Sequence, residues 1–136
     1  METGNFNCRQ TGILIVADHS DGEQFPLKTE VVDFIFSSEV IEHIYDTKNA
    51  LKEMARVLKQ GGRLLITTPY HGFLKNLIIL FHGFDDHFNP VGPHVRFFTE
   101  RSLGVCLKDV GLRIVKKGYF GRIYPIPHCF YVLAEK

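Results

Sequence analysis

Residues 32–69 contain the pattern that most restricts how this chain can fold, namely strand, amphipathic helix and strand. The first run, residues 32–36, is almost continuously apolar, as expected of a strand covered on both faces. Residues 49–59 place apolar side chains at the spacing of one helical face: Leu51, Met54, Ala55 and Leu58. The pair Gly61-Gly62 predicts the end of that helix, and residues 63–68 form the second apolar run. The pattern predicts a βαβ unit, in which the two strands are parallel and the crossover is almost always right-handed.

The size and composition of the chain predict a single soluble domain, residues 1–136, with 45% hydrophobic and 23% charged residues. A net charge of +1 gives no electrostatic argument for nucleic-acid binding, which usually needs a basic face, so no nucleic-acid partner is predicted. The longest apolar run, residues 77–81, is far shorter than the ~20 residues needed to span a bilayer, so no membrane span is predicted. Three widely spaced cysteines argue against a disulfide framework and favour a reducing, cytoplasmic location.

Three segments of the chain follow a motif order known from one enzyme family. Residues 33–44 read Asp-Phe-Ile-Phe-Ser-Ser-Glu-Val-Ile-Glu-His-Ile, and residues 50–66 read Ala-Leu-Lys-Glu-Met-Ala-Arg-Val-Leu-Lys-Gln-Gly-Gly-Arg-Leu-Leu-Ile. This series resembles the class I S-adenosylmethionine-dependent methyltransferases, in particular the small-molecule branch that includes ubiquinone-biosynthesis methyltransferases. The third segment, His94-Val95-Arg96-Phe97-Phe98-Thr99 with Leu103 and Gly111-Leu112, is similar to the "His-x-Arg-x-Phe-Thr … Leu … Gly-Phe" region of that branch.

The resemblance implies an α/β fold: a Rossmann-like three-layer sandwich with a mostly parallel sheet. An antiparallel pair of strands, residues 112–118 and 129–134, would form its C-terminal edge, after a helix over residues 100–110 capped by Thr99. The glycine-rich first motif, which in the family cradles the methionine part of the cofactor, is not found in this sequence. We therefore expect a fold truncated at the N-terminus, with the C-terminal two-thirds of the family domain.

Residues 13–17 form a short apolar strand for which two interpretations are open. In the first, the strand corresponds to the third strand of the family, and Phe25-Pro26-Leu27 to the turn that follows it. In the second, it replaces the missing first strand, and residues 18–22 are a degenerate substitute for the glycine loop. The first interpretation leaves two intervening strands of the family unencoded. We therefore expect the strand to pair directly with residues 32–36 or with a second copy of the chain, as a homodimer through an exposed sheet edge.

Candidate cofactor-binding residues follow the first two predicted strands. The resemblance implies S-adenosylmethionine as cofactor, with Asp18 and His19 where the family places an acidic residue and its neighbour against adenine. Ser37, Ser38 and Glu39 would face the crevice at the end of the second strand. The simpler alternatives are a turn aspartate at position 18 and a helix N-cap at residues 37–39.

The candidate general base is His43, because the family motif places a histidine here beside the methyl donor. A structural histidine bonded to a backbone carbonyl is the alternative. Tyr70, His71 and His94 are candidates for the pocket of the methyl acceptor, against the alternative of a solvated loop. Histidines and aspartates between residues 82 and 94 are ligand types suited to zinc or iron, but their spacing matches no helix-borne ligand pair, so no metal site is predicted.

The predicted function is methyl transfer from S-adenosylmethionine to a small organic acceptor, by family resemblance. Such transfer needs alignment and exclusion of water more than side-chain chemistry, so few catalytic residues are expected. Loss of the first motif leaves open whether the donor site is impaired. A non-catalytic, methyltransferase-like interaction module that pairs through its open sheet edge is the alternative. The apolar helix predicted over residues 73–81 would pack on the sheet, cover an apolar methyl acceptor as a lid, or lie on a membrane surface.

Overall fold

The computed structural model describes residues 13–15, 24–83, 95–121 and 127–136 and contains one mixed sheet of five strands. The strands in chain order are β1 (Ile13–Ile15), β2 (Val32–Ser38), β3 (Leu58–Pro69), β4 (Arg113–Phe120) and β5 (Cys129–Glu135). Their order across the sheet is β1-β2-β3-β5-β4. The first three strands run parallel, and β5 runs antiparallel to both of its neighbours. The predicted α/β, Rossmann-like fold with an antiparallel C-terminal edge pair is confirmed.

The helices of the described part are α1 (Thr47–Val57), α2 (Phe73–His82) and α3 (Glu100–Asp109), with a 3-10 turn at Ile41–His43. Side-chain caps begin two of these helices, α1 and α3, and the cap of α3 is the predicted Thr99. The Asp46 carboxylate accepts a hydrogen bond from the Asn49 N–H at 2.9 Å and so caps α1. The Thr99 and Ser102 side chains each accept from the backbone N–H of the other, which forms a capping box at the start of α3.

The strand β1 pairs directly with β2, and Leu14 lies opposite Ile35. Direct pairing was one of the two expected arrangements and is confirmed, whereas the homodimer stays a prediction. Across β2 and β3, Ile35 in turn lies opposite Leu64 in parallel register. The predicted βαβ unit is therefore present as β2, α1 and β3.

The junction between α1 and β3 differs from the prediction. The helix ends at Val57, and Leu58 is already extended, with φ −66° and ψ 135°. Gly61 has the positive φ, 75°, that a helix cap would need, but it lies inside β3. Its N–H donates to the Lys136 carbonyl, which fixes a bend beside the chain end. A cap and a bend in a strand both favour glycine, so the sequence pattern alone could not separate them.

The hydrophobic core lies on one face of the sheet, under α1 and α3. Six residues on this face of the sheet are at most 1% exposed: Ile35, Leu64, Ile66, Phe130, Val132 and Ala134. They form one cluster with the helix residues Leu51, Met54, Leu103 and Leu107. The helix residues repeat at the spacing that the sequence predicts for buried helical faces.

The helix α2 lies outside this core, although it is the most apolar helix of the described part. None of its residues is buried, and six large apolar side chains are exposed: Phe73, Leu74, Leu77, Ile78, Leu80 and Phe81. The alternative of a helix packed on the sheet is therefore wrong, and the other two alternatives stay predictions. None of the described helices has the length and apolarity needed to cross a membrane.

Candidate functional site

Polar side chains become buried at one edge of the sheet, where β2 and β3 reach their carboxyl ends. We call this region the carboxyl edge: the ends of β2 and β3, the 3-10 turn and the start of β5. Most of the buried polar residues of the described part lie here, namely Ser37, Glu42, Thr67, Thr68 and His71. Open α/β sheets bind their ligands at this edge, because loops and helix starts meet there in a crevice. Such burial of polar groups is costly unless they are bonded, so each needs a physical account.

The end of β2 holds three of the predicted cofactor residues in an unusual backbone turn. Ser37 is fully buried, and its hydroxyl has no hydrogen-bond partner among the described residues. Ser38 is exposed and shares a hydrogen bond with the Thr67 hydroxyl at 2.9 Å. Glu39 has φ 51°, in the left-handed region that residues other than glycine rarely adopt. Backbone strain of this kind clusters at ligand-binding and catalytic sites.

The Glu39 side chain spans the carboxyl edge toward β3 and β5. One carboxylate oxygen accepts from the Thr67 hydroxyl at 3.1 Å, and the other accepts from the Cys129 thiol at 3.6 Å. Burial, reinforced by the charge of Glu39, raises the pKa of the Cys129 thiol to about 11. Because the thiol stays protonated at neutral pH, Cys129 acts as a donor to Glu39 and is a poor nucleophile.

Glu42 is the buried acid that the sequence interpretation did not place in the site. Its side chain is only 2% exposed, and its Oε2 accepts from the Thr68 hydroxyl at 3.1 Å. Its Oε1 has no hydrogen-bond partner in the described part of the chain and lies 4.0 Å from His43 Nε2. Burial raises the pKa of Glu42, and the nearby charge of Glu39 adds to that effect. The one signal in the sequence is its place between the apolar residues Ile41 and Ile44.

His43 lies at the end of the 3-10 turn, with 18% of its side chain exposed. The turn is fixed from the segment that precedes α3. The Glu42 carbonyl accepts from the N–H groups of Val95 and Arg96, at 3.1 and 3.0 Å. The Arg96 guanidinium donates to the Ile44 carbonyl at 3.2 Å. Backbone and side-chain bonds therefore hold His43 in place on both sides.

Tyr70 and His71 follow β3 and lie at the same edge. The Tyr70 N–H donates to the His128 carbonyl at 3.0 Å, and its ring meets the edge of Tyr119 with centroids 5.4 Å apart. His71 is buried, and its ring contacts Phe97 edge to face at 4.9 Å. The solvated-loop alternative therefore fails for His71, whose side chain is packed.

Six predicted residues lie at the carboxyl edge or directly after β3: Ser37, Ser38, Glu39, His43, Tyr70 and His71. Asp18, His19 and His94 lie outside the described residues, so their roles stay predictions. Within the described ranges, no group of three or more histidine, cysteine, aspartate or glutamate side chains could hold a metal ion.

Sequence comparison with known proteins shows the family of this chain. A family profile described as "Methyltransferase domain" matches residues 6–117. The biotin biosynthesis bifunctional protein BioHC of Cellvibrio japonicus is 33% identical over 115 residues, which cover 79% of this chain and 22% of that protein. A protein of Mycolicibacterium smegmatis named as an S-adenosylmethionine-dependent methyltransferase is 31% identical over 96 residues, or 71% of this chain and 34% of the relative. The chain thus spans about a fifth to a third of the length of these two relatives.

A solved structure supports the same fold. The S-adenosylmethionine-dependent methyltransferase from Thermotoga maritima superposes with a TM-score of 0.64 at 23% sequence identity. The match covers 85% of this chain and 61% of that protein. At this level of identity the likeness shows the arrangement of strands and helices.

Proposed function

The chain belongs to the methyltransferase domain family of class I S-adenosylmethionine-dependent enzymes, and on that premise we propose that it methylates a small organic acceptor. When bound, the cofactor supplies a methyl group on a sulfonium, which is already activated for displacement. The observation that carries the proposal is the carboxyl edge itself. Two neighbouring parallel strands end there in buried polar side chains, beside a half-buried histidine.

The carboxyl edge offers groups that fit the polar parts of the cofactor. The buried Ser37 hydroxyl has no partner in the described part and can donate to or accept from a ligand. Glu39 supplies a carboxylate next to the exposed Ser38, and a carboxylate is the group expected to bind ribose hydroxyls or an ammonium. We therefore propose that Ser37, Ser38 and Glu39 take part in holding the cofactor.

The proposed role of His43 is that of general base toward a methyl acceptor with a hydroxyl group. His43 takes the proton that the hydroxyl loses as its oxygen bonds to the methyl carbon, while the methyl–sulfur bonding pair stays with sulfur. A positioned base of this kind contributes roughly 10²–10⁴-fold to the rate. We assign Tyr70 and His71 to the acceptor pocket, because both lie beside the end of β3 and are oriented by aromatic contacts. Fixing the acceptor there would supply most of the remaining rate enhancement, by alignment.

The edge strand β4 does not favour the alternative of a module that pairs through an open sheet edge. β4 carries Lys116 and Lys117, and its pairing with β5 is irregular between Ile114 and Lys116. Lysines and bulges on an edge strand are devices that discourage pairing with a further strand. At this edge the enzyme is the better supported of the two hypotheses, whereas pairing through the other edge, at β1, stays a prediction.

Titration calorimetry with S-adenosylhomocysteine tests the cofactor site. We expect a heat of binding for the natural chain, and weaker binding for Ser37→Ala and Glu39→Gln. A matched control is Glu135→Gln, because Glu135 lies at the far end of β5. The proposal fails if the natural chain gives no heat at millimolar ligand, or if the control weakens binding as much as the two site variants do.

A further inference from the structure

At the carboxyl edge, Oε1 of the Glu42 carboxyl is buried, and no hydrogen bond among the described residues accounts for its burial. The side chain is 2% exposed, so water does not reach Oε1, and no donor in the described part bonds to it. A buried carboxyl oxygen without a donor costs stability of about 1–3 kcal/mol or more, so natural proteins rarely keep one without a use. The other oxygen is satisfied by Thr68, which shows that the carboxyl has a fixed orientation.

The neighbour of the free oxygen is the imidazole of His43. Nε2 of His43 and Oε1 of Glu42 are 4.0 Å apart, about 1 Å longer than a charge-assisted hydrogen bond. A rotation of the half-buried imidazole could close that gap, whereas the Glu42 carboxyl is held by Thr68 and its backbone by Val95 and Arg96. Hydrogen bonds between catalytic groups are often long without ligand and shorten when the substrate binds.

We propose that Glu42 is a positioning residue that orients His43 by accepting a hydrogen bond from Nε2, and that this bond shortens further when the methyl acceptor binds. The bond fixes one tautomer of the imidazole, with hydrogen on Nε2, and so leaves the Nδ1 lone pair to receive the proton of the methyl acceptor. A base oriented by a third group recurs in enzymes that remove a proton from a weakly acidic hydroxyl. This inference rests on the proposed function, since it assigns His43 the role of base.

The charged groups around Glu42 are consistent with electrostatic coupling between Glu42 and His43. The titratable or charged groups that face it are Glu39 at the end of β2, His43 on the 3-10 turn, Cys129 on β5 and Arg96. The Arg96 guanidinium is directed to the Ile44 carbonyl and forms no ion pair with Glu42. His43 is therefore the one group among these whose positive charge lowers the pKa of Glu42, against the dominant effect of burial. The two residues should consequently sense each other's protonation.

Nitrogen-15 NMR of the histidine side chains tests the orientation directly. We expect His43 of the natural chain to favour the tautomer with hydrogen on Nε2. Glu42→Met, which removes the accepting oxygen, should abolish that preference, and Glu42→Gln, which keeps a side-chain carbonyl, should retain part of it. Glu135→Gln is the matched control and should leave the tautomer unchanged. An unchanged tautomer in Glu42→Met overturns the inference.

A second measurement keeps the test decisive if Glu42→Met does not fold. His43→Met leaves Glu42 in place and alters only a half-buried side chain. Because the charge of His43 lowers the pKa of Glu42, carbon-13 titration of the Glu42 carboxyl should show a higher pKa in this variant than in the natural chain. An unchanged Glu42 titration contradicts the coupling.

The outcomes separate the inference from the proposed function. Absence of heat with S-adenosylhomocysteine, with both NMR effects present, overturns the proposed function and supports the coupled pair. Normal binding heat, with neither NMR effect, supports the cofactor site and overturns the role of Glu42. If Glu42 had only a structural role, its replacement would change the stability of the fold. It would not change the His43 tautomer, and Glu42→Gln would not differ from Glu42→Met in that tautomer.

Discussion

Acidic side chains occur at both ends of the sheet, and the two ends satisfy them by different means. At the amino end of the parallel strands, Asp33 pairs with Lys59 at 2.8 Å, and Glu135 pairs with Arg63 and Arg113 at 3.1 Å. At the carboxyl edge, Glu39 and Glu42 accept hydrogen bonds from hydroxyl and thiol groups. Within the described residues, no lysine or arginine pairs with either of them.

The difference between the two ends is one of burial and charge compensation. Exposed ion pairs contribute about 0–1 kcal/mol each and are screened by salt, so the ion pairs at the amino end have little effect on stability. Burial raises the pKa of Glu42, which has no lysine or arginine partner among the described residues, and such burial reduces stability. A buried carboxyl group with a raised pKa beside a strand end marks a candidate site, independent of any family resemblance.

The largest expected effect is the loss of catalysis in His43→Gln. Removing a general base should lower the rate of methyl transfer to a hydroxyl acceptor by roughly 10²–10⁴-fold, with little change in cofactor affinity. Steady-state kinetics and calorimetry measure the two quantities. Arg63→Met, at the opposite end, is the control and should keep the rate. Equal losses in the two variants would remove the distinction between the ends.

The reactivity of Cys129 should be the next largest effect. With a pKa of about 11, only roughly a thousandth of this thiol is ionised at about pH 8. Alkylation by iodoacetamide, followed in a chain with Cys8→Ser and Cys106→Ser, should therefore be slow and should accelerate with pH up to about 11. Glu39→Gln should speed the reaction, because the charge of Glu39 helps to raise the pKa. A plateau near the ordinary value of 9.0 would contradict this prediction.

Thr68→Val compares the cost of losing one hydrogen bond at each end. The variant removes the hydroxyl that donates to the buried Glu42 carboxyl, which should cost about 1–3 kcal/mol. Lys59→Met breaks the exposed pair with Asp33 and should cost at most about 1 kcal/mol. Urea unfolding measures both. Equal costs would mean that burial does not separate the ends.

Glu42→Gln should change how stability depends on pH. The folded pKa of Glu42 is raised above 4.5, so the stability that its protonated form contributes is present at low pH and is lost as pH rises through the folded pKa. The neutral glutamine does not lose it. Urea unfolding from about pH 4 to about pH 8 should therefore show the variant gaining on the natural chain as pH rises. A difference that is constant with pH would contradict the raised pKa.

The smallest expected effect is that of Arg63→Met. Breaking an exposed ion pair with Glu135 should lower the free energy of unfolding by about 0–1 kcal/mol, and Arg113 still pairs with the same carboxylate. The difference should disappear in about 1 M salt, because screening at that concentration acts over a few ångströms. If salt does not reduce the loss of unfolding free energy in Arg63→Met, the ion pair at the amino end is not screened as an exposed pair should be.

Local signals in the sequence were sufficient for the elements that depend on periodicity and caps. The faces of α1 and α3, the cap Thr99, and the parallel pair β2 and β3 follow from residues close together in the chain. The same reasoning was misleading at Gly61, where two structures share one conformational requirement, and for α2, which is strongly apolar but buries nothing. Apolarity predicts burial only where the rest of the fold provides a surface to pack against.

By itself, the sequence determined the βαβ unit, the fold class and the strand ends where the candidate residues lie, because hydrophobic period and capping are properties of short segments. Only the tertiary structure decided which side chains meet there. Glu42 bonds to Thr68 across 26 residues, and Glu39 to Cys129 across 90. Such contacts depend on the register of β2, β3 and β5 and on the depth to which the end of β2 is buried. Neither quantity is encoded in any local pattern, which is why Glu42 escaped the sequence interpretation.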